Sequence, residues 1–454
     1  KFALVENFWE TGYGMPSFTL LGPRVLRLPF IVHTSYPHEI LHNWWGNGVF
    51  IDYSQGNWAE GLTAYLADHL LQAQRGGGAE YRRDQLQKYA EHAADGRDFP
   101  LRRFRARHGE ASQAVGYGKA LMVYHMLRRR LGDRPFLEGL RTLYRAQRFR
   151  YAGFDAVQQA FEQAAGGDLD GFFGPWLQRA GAPRLALEGV AVRPRDGGYR
   201  LALTLAQTQE AAPYPLRVPV AVTVAGRERP VEAVVGMDGR RDTLELDLAA
   251  RPQALAVDPR FDLFRRLDPR ELPPTLDRLF GAKRLLLVLP ADAPGPLRRG
   301  YRELAEAWAR GNPNVAVRQD AALDAAALEA APAVWLLGRE NRFLPAFRAR
   351  LGERAANAPD AEAASVVLTA AAGPQGRRTW GWLAAAQAEA LPGLTRKLPH
   401  YGKYSYLAFR GTAPRNTAKG QWPVTDSPLQ RVLVDGATPA PLAPRPPLTA
   451  AVPD

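Results

Sequence analysis

Residues 1 to about 32 alternate between apolar and polar positions, with glycine and proline at the breaks. The segments KFALVENF, SFTLLG and RVLRLPFIV show this alternation, which is typical of short strands joined by turns. From Thr34 to about Arg179 the apolar residues instead recur at helical spacing. NWAEGLTAYLADHLLQAQ, QAVGYGKALMVYHMLRRRL and FDAVQQAFEQAAG are examples. The pattern therefore predicts a few strands followed by a mainly helical region.

Short alternating runs return after residue 183. RLALEGVAV, YRLALTLAQ, RVPVAVTVAG and DTLELDL, separated by turn residues, predict a small β-sandwich at residues 184–270. In residues 271–440, strands such as RLLLVLP and VWLLG alternate with alanine-rich helical stretches, which predicts βαβ units and a mostly parallel sheet. The last segment, residues 441–454, is a proline-rich tail that we expect to be disordered.

The length of 454 residues is too great for one hydrophobic core. We therefore predict a multidomain α+β protein: a mainly helical domain at residues 1–183, a β-sandwich at residues 184–270 and an α/β domain at residues 271–440. The α/β domain carries no glycine-rich phosphate-binding motif, so the sequence predicts only a structural or partner-binding role for it.

The net charge of +13 suggests an anionic partner. However, arginine supplies most of the excess, is scattered through every region and is accompanied by no nucleic-acid-binding motif, so we predict that the protein does not bind nucleic acid. No run of about 18 apolar residues occurs, which predicts that there is no transmembrane segment. The sequence has no signature of an oligomeric state.

The chain contains no cysteine, which excludes disulfides and thiolate metal ligands. This composition fits an exported bacterial protein, so a periplasmic or secreted location is the prediction. The chain opens with KFALVENF and shows neither methionine nor a signal-peptide pattern. Since these residues read as the middle of a strand, we expect that further sequence precedes them.

The segment HEILHNWWGN contains two histidines one helical turn apart. Thr34 or Ser35 can cap a helix that has Pro37 in its first turn, so His38 and His42 share one face and can reach one cation. Such an H-E-x-x-H arrangement is typical of zinc peptidases, in which the glutamate acts as general base on a zinc-bound water. The alternative is a polar helix whose histidines are there by chance.

Two histidines leave a catalytic zinc one protein ligand short, because such sites usually have three protein ligands and one open position. Glu60, in the segment NWAEGLTAY on the next predicted helix, is the candidate third ligand. A loop between the two helices can bring Glu60 to the same point as His38 and His42. The presence of this carboxylate favours the metal site over chance.

These motifs resemble the gluzincin zinc metallopeptidases, in particular the aminopeptidase N family. HEILHNWWGN matches the zinc helix and its continuation, WAEGLTAY matches the segment of the third ligand, and VENF and GYGKALMVYHML are similar to two further family motifs. The gap between the zinc helix and the third ligand is one residue shorter than in the family. The resemblance implies a thermolysin-like catalytic domain at residues 1–183, followed by a β-sandwich, in a chain that apparently lacks the family's N-terminal β-domain.

The resemblance also implies roles for individual residues. His38, His42 and Glu60 would hold one zinc ion per chain. Glu39 would take a proton from the attacking water and deliver it to the leaving amine. Tyr117, in GYGKALMVYHML, would donate its hydroxyl to the oxyanion.

The segment ALVEN stands where the family has its Gly-x-Met-Glu-Asn strand. Glu6 would bind the free α-amine of the substrate, and Asn7 is its predicted companion in substrate binding. Ala3 replaces the family's glycine and Val5 its methionine, and the added Cβ at position 3 would narrow the approach of the substrate backbone.

The sequence thus predicts a zinc-dependent metallopeptidase that acts on peptides or proteins through a general-base-activated zinc-bound water. An aminopeptidase that removes N-terminal residues is favoured. One alternative is a zinc endopeptidase on the same scaffold, which would ignore the substrate's amine. Another is a catalytically weak peptide-binding protein.

Overall fold

The structure is a computed structural model that describes residues 2–28, 31–94, 96–360, 364–424 and 427–451. Its internal contacts divide the chain into two compact units: unit 1 comprises Lys1–Leu267 and Pro428–Asp454, and unit 2 comprises Asp268–Ser427. The chain combines helices with several sheets, which confirms the predicted mixed α+β class at that coarse level. Among the described residues, no helix is both long and apolar enough to cross a membrane.

The N-terminal part of unit 1 forms a three-stranded sheet of β1 (Ala3–Glu6), β2 (Gly12–Met15) and β3 (Phe18–Leu21). Strand β3 lies in the middle, parallel to β1 and antiparallel to β2. After the short helix α1 (Pro23–Leu26), helix α2 (Ser35–Leu41) packs mainly against β2. The strand beside the predicted zinc helix is therefore β2, and β1 lies on the far side of β3.

Most of the remaining helices of unit 1 lie in the region where apolar residues recur at helical spacing. They are α3 (Ala59–Ala64), α4 (Leu70–Gln74), α5 (Gly78–Lys88), α6 (Glu110–Gln113), α7 (Ala120–Leu131), α8 (Asp133–Gln147), α9 (Phe154–Ala165) and α10 (Asp170–Gln178). Two strands within this region, β4 (Phe50–Ile51) and β5 (Tyr151–Ala152), pair in parallel.

Three π-helical turns interrupt these helices, at Tyr65–His69, Tyr89–Ala93 and Ala114–Lys119. Helices α3 and α7 approach each other closely at Gly61, where an added Cβ would lie 2.2 Å from the Cβ of Ala120. Glycine is therefore required at position 61, because any side chain there would push α3, which carries Glu60, away from α7.

Two antiparallel sheets occupy the region predicted as a β-sandwich. Their strands are β6 (Leu185–Arg195), β7 (Gly198–Gln207), β8 (Leu216–Val224), β9 (Val231–Met237), β10 (Arg241–Leu248) and β11 (Pro252–Val257). One sheet has the order β10-β7-β6, and the other has β11-β8-β9 with strand Gln430–Val432 outside β11. Along β7, Leu201, Leu203 and Leu205 are fully buried at every second position, as the alternating pattern predicts.

The C-terminal segment of the chain returns to unit 1. After strand Gln430–Val432, the backbone N–H of Ala440 donates to Thr223 and the carbonyl of Ala443 accepts from Arg260. Arg445 then forms an ion pair with Asp262. Residues 441–454 are the segment predicted as a disordered proline-rich tail. Within it, Ala443 and Arg445 make these contacts and Leu448–Ala451 form a 3-10 helix, while residues 452–454 lie outside the described part.

Unit 2 contains a seven-stranded sheet with the order β13-β12-β14-β16-β15-β17-β18. The strands are β12 (Leu285–Leu289), β13 (Val315–Gln319), β14 (Ala333–Leu337), β15 (Ser365–Ala372), β16 (Arg378–Ala384), β17 (Tyr406–Arg410) and β18 (Arg415–Gly420). The helices are α11 (Leu276–Phe280), α12 (Gly295–Ala309), α13 (Ala325–Ala330), α14 (Leu344–Leu351) and α15 (Leu391–Lys397). Strands β13, β12, β14 and β16 pair in parallel with their neighbours in this order, as the βαβ pattern predicts. The pairs β16–β15, β15–β17 and β17–β18 are antiparallel.

Candidate metal centre

Helix α2 carries the two histidines of HEILHNWWGN on one face. Thr34 is its N-cap residue, so Pro37 stands in the first turn, where its missing N–H breaks no helical hydrogen bond. The ring centroids of His38 and His42 are 5.0 Å apart. His42 is already the C-cap residue, so the helix is just long enough to align the two imidazoles.

Glu60 lies in the first turn of α3, close to both imidazoles. The Nε2 atoms of His38 and His42 are 3.3 Å and 3.5 Å from Oε2 of Glu60. The side-chain oxygen of Asn57 accepts hydrogen bonds from the backbone N–H groups of Ala59 and Glu60, which fixes the start of α3. The three predicted metal ligands are thus brought to one point.

The donor atoms of this cluster fit a zinc ion. One atom from each of His38, His42 and Glu60 lies within 4.8 Å of the others. Two imidazole nitrogens with one carboxylate oxygen form a set that catalytic zinc sites use, and it leaves a further position open. All three side chains are largely buried, so water competes little for the ligand atoms.

The outer nitrogens of both imidazoles are already engaged. Nδ1 of His38 lies 2.8 Å from Oδ2 of Asp68, and Nδ1 of His42 lies 2.8 Å from the backbone oxygen of Trp45. Each of these nitrogens can therefore donate a ring proton to its partner, and the Nε2 atoms, which face Glu60, are the nitrogens that a metal ion would use. Such contacts fix the tautomer that a metal ligand needs.

Asp68 is a site residue that the sequence reasoning missed. It lies eight positions after Glu60, which corresponds to about 80° around an ideal α-helix and so to a different face. The π-helical turn Tyr65–His69 absorbs about one extra residue. The effective separation becomes seven residues, about 20° short of two full turns, and Asp68 joins Glu60 on one face.

Burial and mutual contact shift the pKa values of the cluster in opposite directions. Burial alone lowers the pKa of His38, but the hydrogen bonds to Asp68 and Glu60 outweigh it and raise the pKa to about 10. Burial raises the pKa of Glu60, but the hydrogen bonds from His38 and His42 outweigh it and lower the pKa. Two largely buried carboxylates and two imidazoles thus favour a positive charge at their centre.

Glu39 lies beside the ligands and faces strand β2. Its side chain is buried, and burial raises its pKa although His38 and His42 oppose the shift. A Cβ added to Gly12 would lie 2.5 Å from Oε1 of Glu39, and one added to Gly14 would lie 2.5 Å from the Cβ of His42. Strand β2 can approach the site only because it has glycine at both positions. The two glycines of TGYGM are the sequence feature from which this close approach could have been predicted.

Tyr117 lies in the π-helical turn Ala114–Lys119, and its ring stacks on His38 with a centroid distance of 6.1 Å and an angle of 20°. Burial raises its pKa, and the neighbouring Glu60 carboxylate raises it further. The hydroxyl therefore remains protonated and able to donate a hydrogen bond at neutral pH.

Glu6 and Asn7 are not brought to the cluster. Glu6 ends β1 on the far side of β3, its side chain is half exposed, and its carboxylate lies 3.6 Å from Arg27. The side-chain oxygen of Asn7 accepts from the backbone N–H of Trp9. Of the seven predicted site residues, the structure therefore groups five around one point and leaves Glu6 at the end of β1 and Asn7 directly after it.

Comparison with known proteins gives matches in the region of this cluster. Residues 32–176 match the peptidase family M1 domain. Aminopeptidase N of Lactococcus lactis subsp. lactis is 32% identical over 77 residues, which are 17% of this chain and 9% of that protein. Aminopeptidase N of Caulobacter vibrioides is 29% identical over 157 residues, which are 33% of this chain and 18% of that protein. The matches thus span less than a fifth of these relatives.

Among solved structures, Legionella pneumophila aminopeptidase A in complex with aspartic acid matches 67% of this chain and 35% of its own length, with 14% identity and a TM-score of 0.44. The family match and the two relatives support the resemblance to aminopeptidases of the M1 family.

Proposed function

We propose that this protein, whose residues 32–176 match the M1 peptidase domain, is a zinc-dependent metallopeptidase, and specifically an aminopeptidase that removes N-terminal residues. The observation that carries the proposal is the convergence of His38, His42 and Glu60, with Glu39 and Tyr117 beside them. A structural cluster has no need of a buried glutamate next to the ligands, whereas peptide hydrolysis needs a proton acceptor there.

The chain supplies the metal ligands and holds them in place. His38, His42 and Glu60 would bind zinc, which when present would act as a Lewis acid on the scissile carbonyl and lower the pKa of the attacking water. Asp68 and the backbone oxygen of Trp45 orient the two imidazoles from behind. These contacts reduce the reorganisation that ligand binding would otherwise require.

Glu39 would move the proton in this reaction. Its carboxylate accepts a proton from the attacking water and delivers it to the amine of the leaving fragment. Burial and the approach of β2 restrict the rotation of this side chain, so the carboxylate is held beside the ligands. Burial raises the pKa of Glu39, which makes the carboxylate a better proton acceptor than an exposed glutamate.

Tyr117 would stabilise the transition state. Its hydroxyl donates a hydrogen bond to the carbonyl oxygen of the substrate as that oxygen acquires negative charge. The stacking on His38 holds the phenol ring at the edge of the cluster. A donor of this kind is worth about 3 kcal/mol in the activation barrier.

The names of the relatives support an aminopeptidase. One observation favours the second candidate, a zinc endopeptidase on the same scaffold. The strand beside α2 is β2, whose residues Gly12–Met15 include no carboxylate, whereas Glu6 lies on β1 with β3 in between. An aminopeptidase needs an anionic group near the metal to bind the substrate's α-amine.

One experiment separates these activities. A mixture of peptides with free or acetylated N-termini is incubated with zinc-loaded protein, and the products are followed by mass spectrometry. Stepwise loss of N-terminal residues from the free peptides alone supports the aminopeptidase. Internal cleavage of both sets supports the endopeptidase. Glu39→Gln should abolish either activity, whereas Glu138→Gln, an exposed replacement on α8, should have no effect.

The same samples test the catalytically weak peptide-binding alternative. Zinc content is measured for the wild-type protein and for Glu60→Ala. About one zinc per chain that is lost in Glu60→Ala supports the metal centre, since this change removes one of three ligands. Zinc-loaded protein that cleaves none of the peptides would contradict the proposed hydrolysis.

A further inference from the structure

Unit 1 has a cavity of about 200 Å³ that shares no residue with the metal cluster. Its wall is formed by the last turns of α7, by α10, by β8 and β9, and by Arg445 of the C-terminal segment. Arg129 in this wall lies twelve positions after Tyr117, which corresponds to about 18 Å of helix. An occupant of this cavity would therefore not touch the predicted catalytic residues.

One part of the cavity wall is apolar. It includes Met126, Phe172, Trp176, Leu216 and Leu263, all of which are buried. A cavity of about 150 Å³ with apolar walls can hold a benzene molecule. The larger volume here accommodates an aromatic ring together with a short carbon chain.

The other part of the wall carries arginines without counter-ions. Arg129, Arg130 and Arg217 form no salt bridge or hydrogen bond with any other described residue. Arg129 and Arg130 are exposed at the end of α7, and Arg217 is exposed on β8. Their guanidinium groups remain available to an anion at the mouth of the cavity.

The two carboxylates in the wall form their salt bridges with other arginines. Asp262 already contacts Arg82 and Arg445, and Glu232 already contacts Arg260 and Arg445. Both acidic groups therefore have their own cationic partners. The charge that remains at the cavity is positive.

From the apolar wall and the arginines outside salt bridges, we propose that this cavity binds a small carboxylate with an aromatic or branched alkyl body. The apolar body fills the space beside Phe172 and Leu216. The carboxylate accepts hydrogen bonds from Arg129 and Arg217. This ligand site is separate from the proposed peptidase centre and does not depend on zinc.

Calorimetric titration with 4-phenylbutyrate tests the proposal. The matched probes are 4-phenylbutan-1-ol, which keeps the apolar body without the charge, and acetate, which keeps the charge without the body. All titrations contain a chelator and are repeated with Glu60→Ala, so that binding at the metal cluster does not contribute. We expect one molecule of 4-phenylbutyrate per chain, with affinity at least about tenfold higher than that of either matched probe.

Variants of the exposed arginines provide the second arm, because their replacement leaves the core intact. The double variant Arg129→Ala/Arg217→Ala should weaken 4-phenylbutyrate binding by about tenfold or more. The control Arg193→Ala/Arg251→Ala removes the same charge from exposed positions outside the cavity and should change nothing. No binding of 4-phenylbutyrate, equal binding of acid and alcohol, or equal binding by the two double variants would overturn the proposal.

Discussion

Among the described residues of unit 1, histidines meet carboxylates in one buried cluster at His38 and in another at His125, and the two clusters differ in the source of positive charge. In the first, His38 and His42 direct their Nε2 atoms at Glu60, and Asp68 lies behind His38. Among the described residues, no lysine or arginine forms a salt bridge with either carboxylate. The only charge that the chain itself can supply there is a proton on an imidazole.

In the second cluster the chain supplies the positive charge. Asp262 contacts Arg82, Arg445 and Nε2 of His125, and Arg82 also donates to Nε2 of His69. Burial lowers the pKa of His125 to about 3, and Arg82 contributes to the shift. The histidines of this cluster therefore remain neutral while the arginines neutralise Asp262.

The comparison teaches that residue types alone do not distinguish a metal centre from a structural polar core. What differs is whether the carboxylates already have arginine partners and whether the imidazole lone pairs converge. On this basis we expect replacements in the first cluster to change chemistry and metal binding. Replacements in the second should change stability.

The largest effect is expected for Glu39→Gln, which should lower the rate of peptide hydrolysis by about 1,000-fold. The amide cannot accept the proton of the attacking water but has nearly the same shape as the carboxylate. Zinc content and the free energy of unfolding should stay close to the wild-type values. Initial rates and elemental analysis of the same preparation measure both. Loss of activity together with loss of zinc would mean that the change acts on the ligands instead.

Asp262→Ala should lower the free energy of unfolding by about 3 kcal/mol, because it leaves Arg82 and Arg445 without their buried counter-ion. Urea denaturation measures the change, and zinc content should be unaffected. The matched control is Asp247→Ala. Asp247 also contacts two arginines, Arg195 and Arg200, but on the exposed surface.

The control should lose no more than about 1 kcal/mol, because exposed ion pairs contribute little. Equal losses for the two aspartates would contradict the view that burial makes the second cluster structural. Loss of zinc in Asp262→Ala would remove the distinction between the two clusters.

The sequence was sufficient to predict which three side chains meet in the first cluster. His38, His42 and Glu60 stand at helical spacings on two predicted helices, and spacing within a helix determines which residues share a face. Asp68 could not be predicted in this way, because a π-helical turn changes the count of residues per turn. Hydrophobic periodicity does not register a single inserted residue.

The order of the strands in the N-terminal sheet likewise could not be predicted from the sequence pattern. The alternation identified β1 and β3, but the strand predicted at RVLRLPFIV is wrong, because its described residues form α1 and a 3-10 helix at Ile31–His33. The pattern identified neither β2 nor the position of β3 between β1 and β2, which depends on tertiary pairing. This order separates Glu6 from α2 and brings Gly12 and Gly14 there. The second cluster was not predicted because its members lie far apart in the chain and no local pattern connects them. They include His125, Asp262 and Arg445.

Asp68→Asn should weaken zinc binding by roughly 10- to 100-fold, because the amide is a poorer acceptor for Nδ1 of His38 and no longer fixes the imidazole as firmly. Competition with a chelator of known affinity measures the change. Asp52→Asn, an exposed capping aspartate in the same region, is the control and should leave the affinity unchanged. Unchanged affinity in Asp68→Asn would mean that the contact to His38 is only structural.

The smallest effect concerns the pH dependence of stability and tests the second cluster. The pKa of His125 is about 3 in the folded protein and 6.5 in its ordinary state, so between these values the unfolded chain binds more protons. The contribution of His125 to stability is therefore complete above pH 6.5 and is lost as the pH falls. From pH 7 to pH 5.5 the loss from this residue should be about 1 kcal/mol.

Urea denaturation of wild type and His125→Gln at pH 7 and pH 5.5, with a chelator present, measures the contribution of His125 to the free energy of unfolding. The glutamine amide can still donate to Asp262 but does not titrate, so the variant should lose about 1 kcal/mol less than wild type on acidification. Contributions of His38, His42 and His69 are common to both proteins and cancel in this difference. His108→Gln, at an exposed position, should behave as wild type. If wild type and His125→Gln lose equal stability, His125 is not held neutral, and the contrast with the metal cluster loses its electrostatic basis.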